Sequence, residues 1–122
     1  MKTVAAALLL LAALSPAGAQ APSPAGARCT AIHFARGASS AQVSGVVGSD
    51  EPFPCYTLAT GNGQTASLKF TRTNGNMAFS IDDLADDRDA FEFKTAAKTY
   101  RFTVFQTLRA PPGPYTLMVS VR

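Results

Sequence analysis

The chain of 122 residues has no tryptophan, one histidine and two cysteines, and only 16% of its residues are charged. Each shortage excludes a class of protein. A single histidine, His33, with no G-x-S-x-G stretch and no C-x-x-C pair, offers no nucleophile–base pair. It also offers no soft metal set and no redox dithiol, so we expect neither an enzyme nor a bound cofactor or metal. His33 itself sits in a strand pattern and reads as a surface or edge-strand side chain. Eleven Lys and Arg, Lys2 among them, against eight Asp and Glu make a weak positive balance. That is too little for a nucleic-acid surface, which needs a basic stripe.

Long apolar runs are also missing, with one short exception. Lys2 precedes an Ala/Leu stretch over residues 4–14, followed by Ser15-Pro16-Ala17-Gly18-Ala19. At about eleven residues the stretch falls short of the roughly 20 needed to span a bilayer. A charged start, a short apolar centre and a small-residue end describe a cleaved secretory signal over residues 1–19. No membrane anchor is expected, because Arg28, not a run of small residues, stands directly before Cys29. Residues 20–28, rich in Pro, Ala and Gly, read as a flexible arm, and 29–122 as one domain in an exported, periplasmic or secreted protein. In that oxidising compartment Cys29 and Cys55 are expected to pair. Closing a loop of about 27 residues contributes roughly 3.5 kcal/mol on the chain-entropy view.

What is present is alternation of period two. Ala66, Leu68 and Phe70 face one way and Ser67, Lys69 and Thr71 the other; Tyr100, Phe102 and Val104 repeat the pattern, as do Tyr115, Leu117, Val119 and Val121. Shorter runs occur at Thr30, Ile32 and Phe34, at Ala41 and Val43, at Tyr56 and Leu58, at Met77, Phe79 and Ile81, and at Phe91 and Phe93. Gly61-Asn62-Gly63 reads as a hairpin turn, and Thr73-Asn74-Gly75-Asn76 as a second turn. About eight short strands, each with one wet face, predict an all-β fold, an antiparallel β-sandwich with one disulfide. The exception is residues 82–98, rich in Asp, Ala, Glu and Lys, which read as a loop or as a short helix within 83–88. Its carboxylates, Asp82, Asp83, Asp86, Asp87 and Asp89, read as a solvated loop; a Ca²⁺ site, the other reading, lacks the sharp glycine turn and has Arg88 among its ligands. Lys94, Lys98, Arg101 and Arg109 put basic residues beside aromatic and Pro-rich segments, a composition suited to a protein-binding patch.

The order of motifs resembles a known family. Ile32-His33-Phe34-Ala35-Arg36-Gly37-Ala38-Ser39-Ser40-Ala41-Gln42-Val43-Ser44-Gly45, then Tyr56-Thr57-Leu58-Ala59-Thr60-Gly61-Asn62-Gly63-Gln64, resemble two stretches of the bacterial periplasmic inhibitors of invertebrate-type and goose-type lysozymes. The stretch from Asn74 to Ile81 and the closing Tyr115-Thr116-Leu117-Met118-Val119-Ser120-Val121 match in order. The resemblance implies a non-catalytic β-sandwich whose partner is lysozyme and whose loop enters the lysozyme cleft. The family's loop carries Ser-Gly followed closely by Tyr; the corresponding stretch is Ala96-Ala97-Lys98-Thr99-Tyr100, with Tyr kept and both small positions alanine. The resemblance implies a partner-binding loop with Tyr100 and with Lys98 or Thr99 replacing the lost donor. The basic residues Arg101 and Arg109, on that loop and one expected beside it, complete the expected partner-binding set of Lys98, Thr99, Tyr100, Arg101 and Arg109. The closing segment also resembles small sandwich modules that follow secreted peptidases. That keeps open a second reading, a non-catalytic binding module for glycan or cell wall. Neither reading sets an oligomeric state.

Overall fold

Alternation of apolar and polar side chains decides the architecture. The computed structural model describes residues 28–122. The predicted signal segment 1–19 and all of the predicted arm but Arg28 lie outside the described residues. Nine strands follow in order: β1 (Thr30–Ala31), β2 (Ser40–Val47), β3 (Cys55–Thr60), β4 (Thr65–Arg72), β5 (Met77–Ile81), β6 (Ala85–Arg88), β7 (Ala90–Lys94), β8 (Lys98–Gln106) and β9 (Gly113–Val121). They form a five-stranded sheet, β1-β3-β8-β5-β6, and a four-stranded sheet, β2-β9-β4-β7. The core lies between the sheets and consists of the inward half of each pattern: Leu58, Phe79, Ile81, Phe102 and Val104 from one, Val47, Leu68, Tyr115, Leu117 and Val119 from the other. Removing these side chains from water is the main force holding the two sheets together.

Four expectations change. The segment after Ile81 is neither loop nor helix throughout. Residues 82–84 make a turn and β6 then pairs back on β5, so the strand count is nine. Asp83 and Asp87 both take the left-handed conformation, with φ of 62° and 55°, which breaks a helix and which Asp tolerates better than most residues. The short β1 runs parallel to β3, while the other strand pairs are antiparallel. Gly61-Asn62-Gly63 turns the chain, with Gly63 at φ 75°, but joins no hairpin, because β3 and β4 belong to different sheets. The turn at 73–76 likewise carries the chain across. Of the consecutive strands only β5 and β6 share a sheet.

Cys29 and Cys55 are bonded, with sulfurs 2.07 Å apart, which fastens β1 to the start of β3. His33 is exposed, in keeping with a surface side chain. Because β3 and β8 run antiparallel with Thr60 opposite Lys98 and Cys55 opposite Thr103, the crossovers gather at two opposite ends. These ends hold the candidate sites.

Candidate functional site

One end collects the loops 61–64 and 95–97 with the start of β8. At its centre is Thr95, 5% exposed. Its hydroxyl donates to the Gly61 carbonyl at 2.6 Å and accepts the Gln64 N–H at 3.0 Å. Its own N–H donates to Gln64 O at 2.8 Å, and its carbonyl accepts the Gly63 N–H at 2.7 Å. The Gln64 side chain closes the loop by accepting the Gly61 N–H at 2.6 Å. Thr60 Oγ1 donates toward the carbonyls of Ala96, at 2.7 Å, and Lys98, at 3.1 Å. Both backbone groups of Gly61, Gln64, Thr95 and Ala96 are therefore bonded within this end, to the loops themselves, to Thr60 or to Tyr100, which fixes the path of the loops.

Tyr100 is not a projecting side chain. It is 8% exposed, packs edge-on against Phe93 with ring centres 5.0 Å apart, and its hydroxyl accepts the Ala96 N–H at 2.9 Å. It braces the loop from below. Lys98 lies over its ring, the ammonium 4.9 Å from the centroid, an arrangement that favours a cation. Ala96, Ala97, Lys98 and Thr99 are exposed and form the tip. Arg101 points outward one residue further, 3.5 Å from the Asp82 carboxylate and 3.3 Å from the Cys29 sulfur.

Arg109 stands elsewhere. β8 is nine residues long, so its two ends lie roughly 30 Å apart, and Arg109 follows the far one. There the loop 107–112 is tied on both sides. Asn76 exchanges two bonds with Leu108, through Nδ2 to the carbonyl at 2.7 Å and Oδ1 from the N–H at 2.8 Å. Ser49 donates to Gln106 Oε1 at 2.7 Å and accepts the Ala110 N–H at 2.9 Å, and Gln106 Nε2 donates to Pro111 O at 2.9 Å. Leu108 is 71% exposed at the tip, and Arg109 pairs with Asp50 at 3.0 Å. The two ion pairs among the described residues use Arg101 and Arg109; Lys98 is in neither.

The structure thus keeps Lys98, Thr99, Tyr100 and Arg101 together, and it separates from them Arg109, which the sequence reading had grouped with these four, because the length of β8 lies between. The sequence reading misses Thr95, whose hydroxyl bonds backbone groups of Gly61 and Gln64 more than thirty residues away, a relation no local pattern carries. It also misses the part of Gln64, whose side chain closes on the Gly61 N–H three residues before it. No group of three His, Cys, Asp or Glu that could hold a metal exists among the described residues, the acidic segment 82–89 included.

The fold is similar to those of solved periplasmic lysozyme inhibitors. The chain is similar to PliG of Aeromonas hydrophila, a periplasmic inhibitor of g-type lysozyme, with 25% identity, TM-score 0.62, and coverage of 77% of this chain and 96% of that one. It also shares the fold of the Salmonella Typhimurium PliG, at 18% identity and TM-score 0.60, covering 78% of this chain and 98% of that one. A PliG mutant from Escherichia coli gives 20% identity, a TM-score of 0.59, and coverage of 76% and 96%. No protein-family model and no curated protein matches the sequence.

Proposed function

We propose that the chain is a non-catalytic periplasmic inhibitor of lysozyme, the g-type first, exported by a cleaved signal at residues 1–19 and carrying a short arm over 20–28 ahead of the sandwich. The observation that carries this reading is the similarity to the Aeromonas hydrophila inhibitor over 96% of that protein's length. Glycoside hydrolysis relies on paired carboxyl groups whose protonation states must differ. A donor lodged between them holds both and shuts the cleft. The Thr95 end is suited to this. Its tip is narrow, because Ala96 and Ala97 end in methyl groups, and it presents the Lys98 ammonium and the Thr99 hydroxyl beside them. Thr95 and Tyr100 hold the backbone in one conformation, which lowers the ordering cost of binding. Arg101 stands at the rim. The Arg109 loop, at the opposite end, stays outside the contact.

A lytic assay against goose-, invertebrate- and chicken-type lysozymes tests the proposal. We expect inhibition of at least one class, weakened at least about tenfold by Lys98→Ala with Thr99→Ala, which is 1.4 kcal/mol of binding. Arg109→Ala leaves it unchanged. Absence of inhibition of every class at micromolar protein overturns the reading, and retention on purified peptidoglycan in that case favours a wall-binding module.

A further inference from the structure

The four sheet borders are guarded unequally. β1 is two residues long and fastened by the disulfide. β6 carries Asp86, Asp87 and Arg88 and pairs with β5 through a register irregularity. β7 carries Glu92 and Lys94. Short length, charge and bulges are the ways sheet edges avoid pairing with other chains. β2 has none of them. It is eight residues long, pairs with β9 without interruption from Ser40 to Val47, and lies in a stretch, residues 37–49, with no charge and no proline.

The register identifies its free backbone groups. Val121 N–H donates to the Ser39 carbonyl at 2.8 Å, so Ser39 and Val121 form a hydrogen-bonded pair. In an antiparallel ladder such pairs recur at every second residue. Ala41, Val43, Gly45 and Val47 therefore bond β9, and the N–H and C=O groups of Ser40, Gln42, Ser44 and Val46 point away from the sheet. The side chains of these four are exposed, Val46 by 63%.

We propose that β2 is the interface of a homodimer in which two copies pair antiparallel, edge to edge, into one continuous sheet. Only another extended strand meets this alternating row of donors and acceptors, and β2 meets its own demand. A two-fold axis normal to the sheet through Val43 sets Gln42 opposite Ser44 of the second copy and Ser40 opposite Val46. Those are the four residues whose backbone groups are free. Both sandwiches then lie on one side of the joined sheet, with each core still covered. The chain carries a net charge of +3, which opposes self-association over most of its surface, but this border brings no charge against its copy. The inference does not rest on the inhibitor reading, since its test reads mass and not lysis.

Light scattering during gel filtration, from about 1 µM to about 500 µM, should show a concentration-dependent dimer. Gln42→Lys with Ser44→Lys sets lysines directly opposite one another across the axis and should weaken the dimer at least about tenfold. Thr71→Lys, on the exposed face of the inner strand β4, should leave it intact. Hydrogen exchange on the unmodified protein gives an independent readout: the amides of Ser40, Gln42, Ser44 and Val46 should gain protection at high concentration. A monomer throughout the range, or a dimer formed without protection of these amides, overturns the proposal.

Discussion

At one end of the sandwich a single threonine hydroxyl gathers two short crossovers; at the other, Asn76, Ser49 and Gln106 tie one long loop from both sides. The first device is buried and works on backbone atoms, so the tip it supports, Ala96 to Thr99, keeps its side chains free. The second spends side chains on holding the loop and leaves Leu108 as the projecting group. Its ion pair adds little, because Arg109 and Asp50 are each more than three-quarters exposed and such pairs are screened by water. The difference shows how one small core can carry a braced tip with free side chains and, at the other pole, a loop that closes the sandwich.

The largest expected effect acts on the second pole. Cys55 opens β3 there, and its bond to Cys29 is the covalent tie of β1 to the five-stranded sheet. Cys29→Ser should cost roughly 3.5 kcal/mol on the chain-entropy view. In a domain of this size that lowers the melting midpoint by more than about 10 °C. Thermal melts with and without reductant check this, and an unchanged midpoint would remove the disulfide as an anchor. Inhibition measured well below the midpoint should survive, because the Thr95 network does not involve β1.

A paired substitution then separates the poles. Thr95→Val keeps the shape but leaves the Gly61 carbonyl and the Gln64 N–H without the hydroxyl. Gln106→Leu removes the bonds to Ser49 and Pro111. Each should cost about 1–3 kcal/mol, the usual penalty for stranding buried polar groups. Denaturant melts should show the two losses adding within about 0.5 kcal/mol, since the sites are far apart. Lysozyme inhibition should fall for Thr95→Val and hold for Gln106→Leu. Equal loss for both would erase the functional distinction between the ends.

Much of this arrangement is legible in the sequence where chemistry is local. Tyr100, Phe102 and Val104 alternate because one side of β8 faces the core, and Cys29 and Cys55 had only each other. β6 was hidden because only Ala85 turns inward; Asp86, Asp87 and Arg88 show no alternation, and their strand character comes from pairing with β5. Gly63 does take the positive φ that its turn signal implies, yet a turn's local geometry does not say which sheet receives the next strand. Lys98, Thr99, Tyr100 and Arg101 fall together because they are contiguous. Arg109 is close in sequence and far in space because an intervening strand crosses the sandwich.

The smallest effect concerns a phenol pair beneath the Gln106 end, for which the Thr95 end has no counterpart among the described residues. Tyr56 and Tyr115 touch through their hydroxyls at 2.6 Å, and a side chain at Gly45 would meet Tyr115 Oη at 2.8 Å, so the site is closed on that side. Burial, then the hydrogen bond and the nearness of the Tyr56 phenol, push the Tyr115 phenol well above its usual range. The folded state therefore holds this proton more tightly than the unfolded chain does. The stability this contributes is complete below the ordinary phenol value of about 10 and declines as pH rises above it. Tyr115→Phe should cost about 1 kcal/mol at neutral pH, by leaving Tyr56 without its partner. Between about pH 10 and 12 its melting midpoint should fall less steeply than that of the unmodified protein. Parallel slopes would assign the alkaline loss to other groups and detach this pair from the stability of its pole.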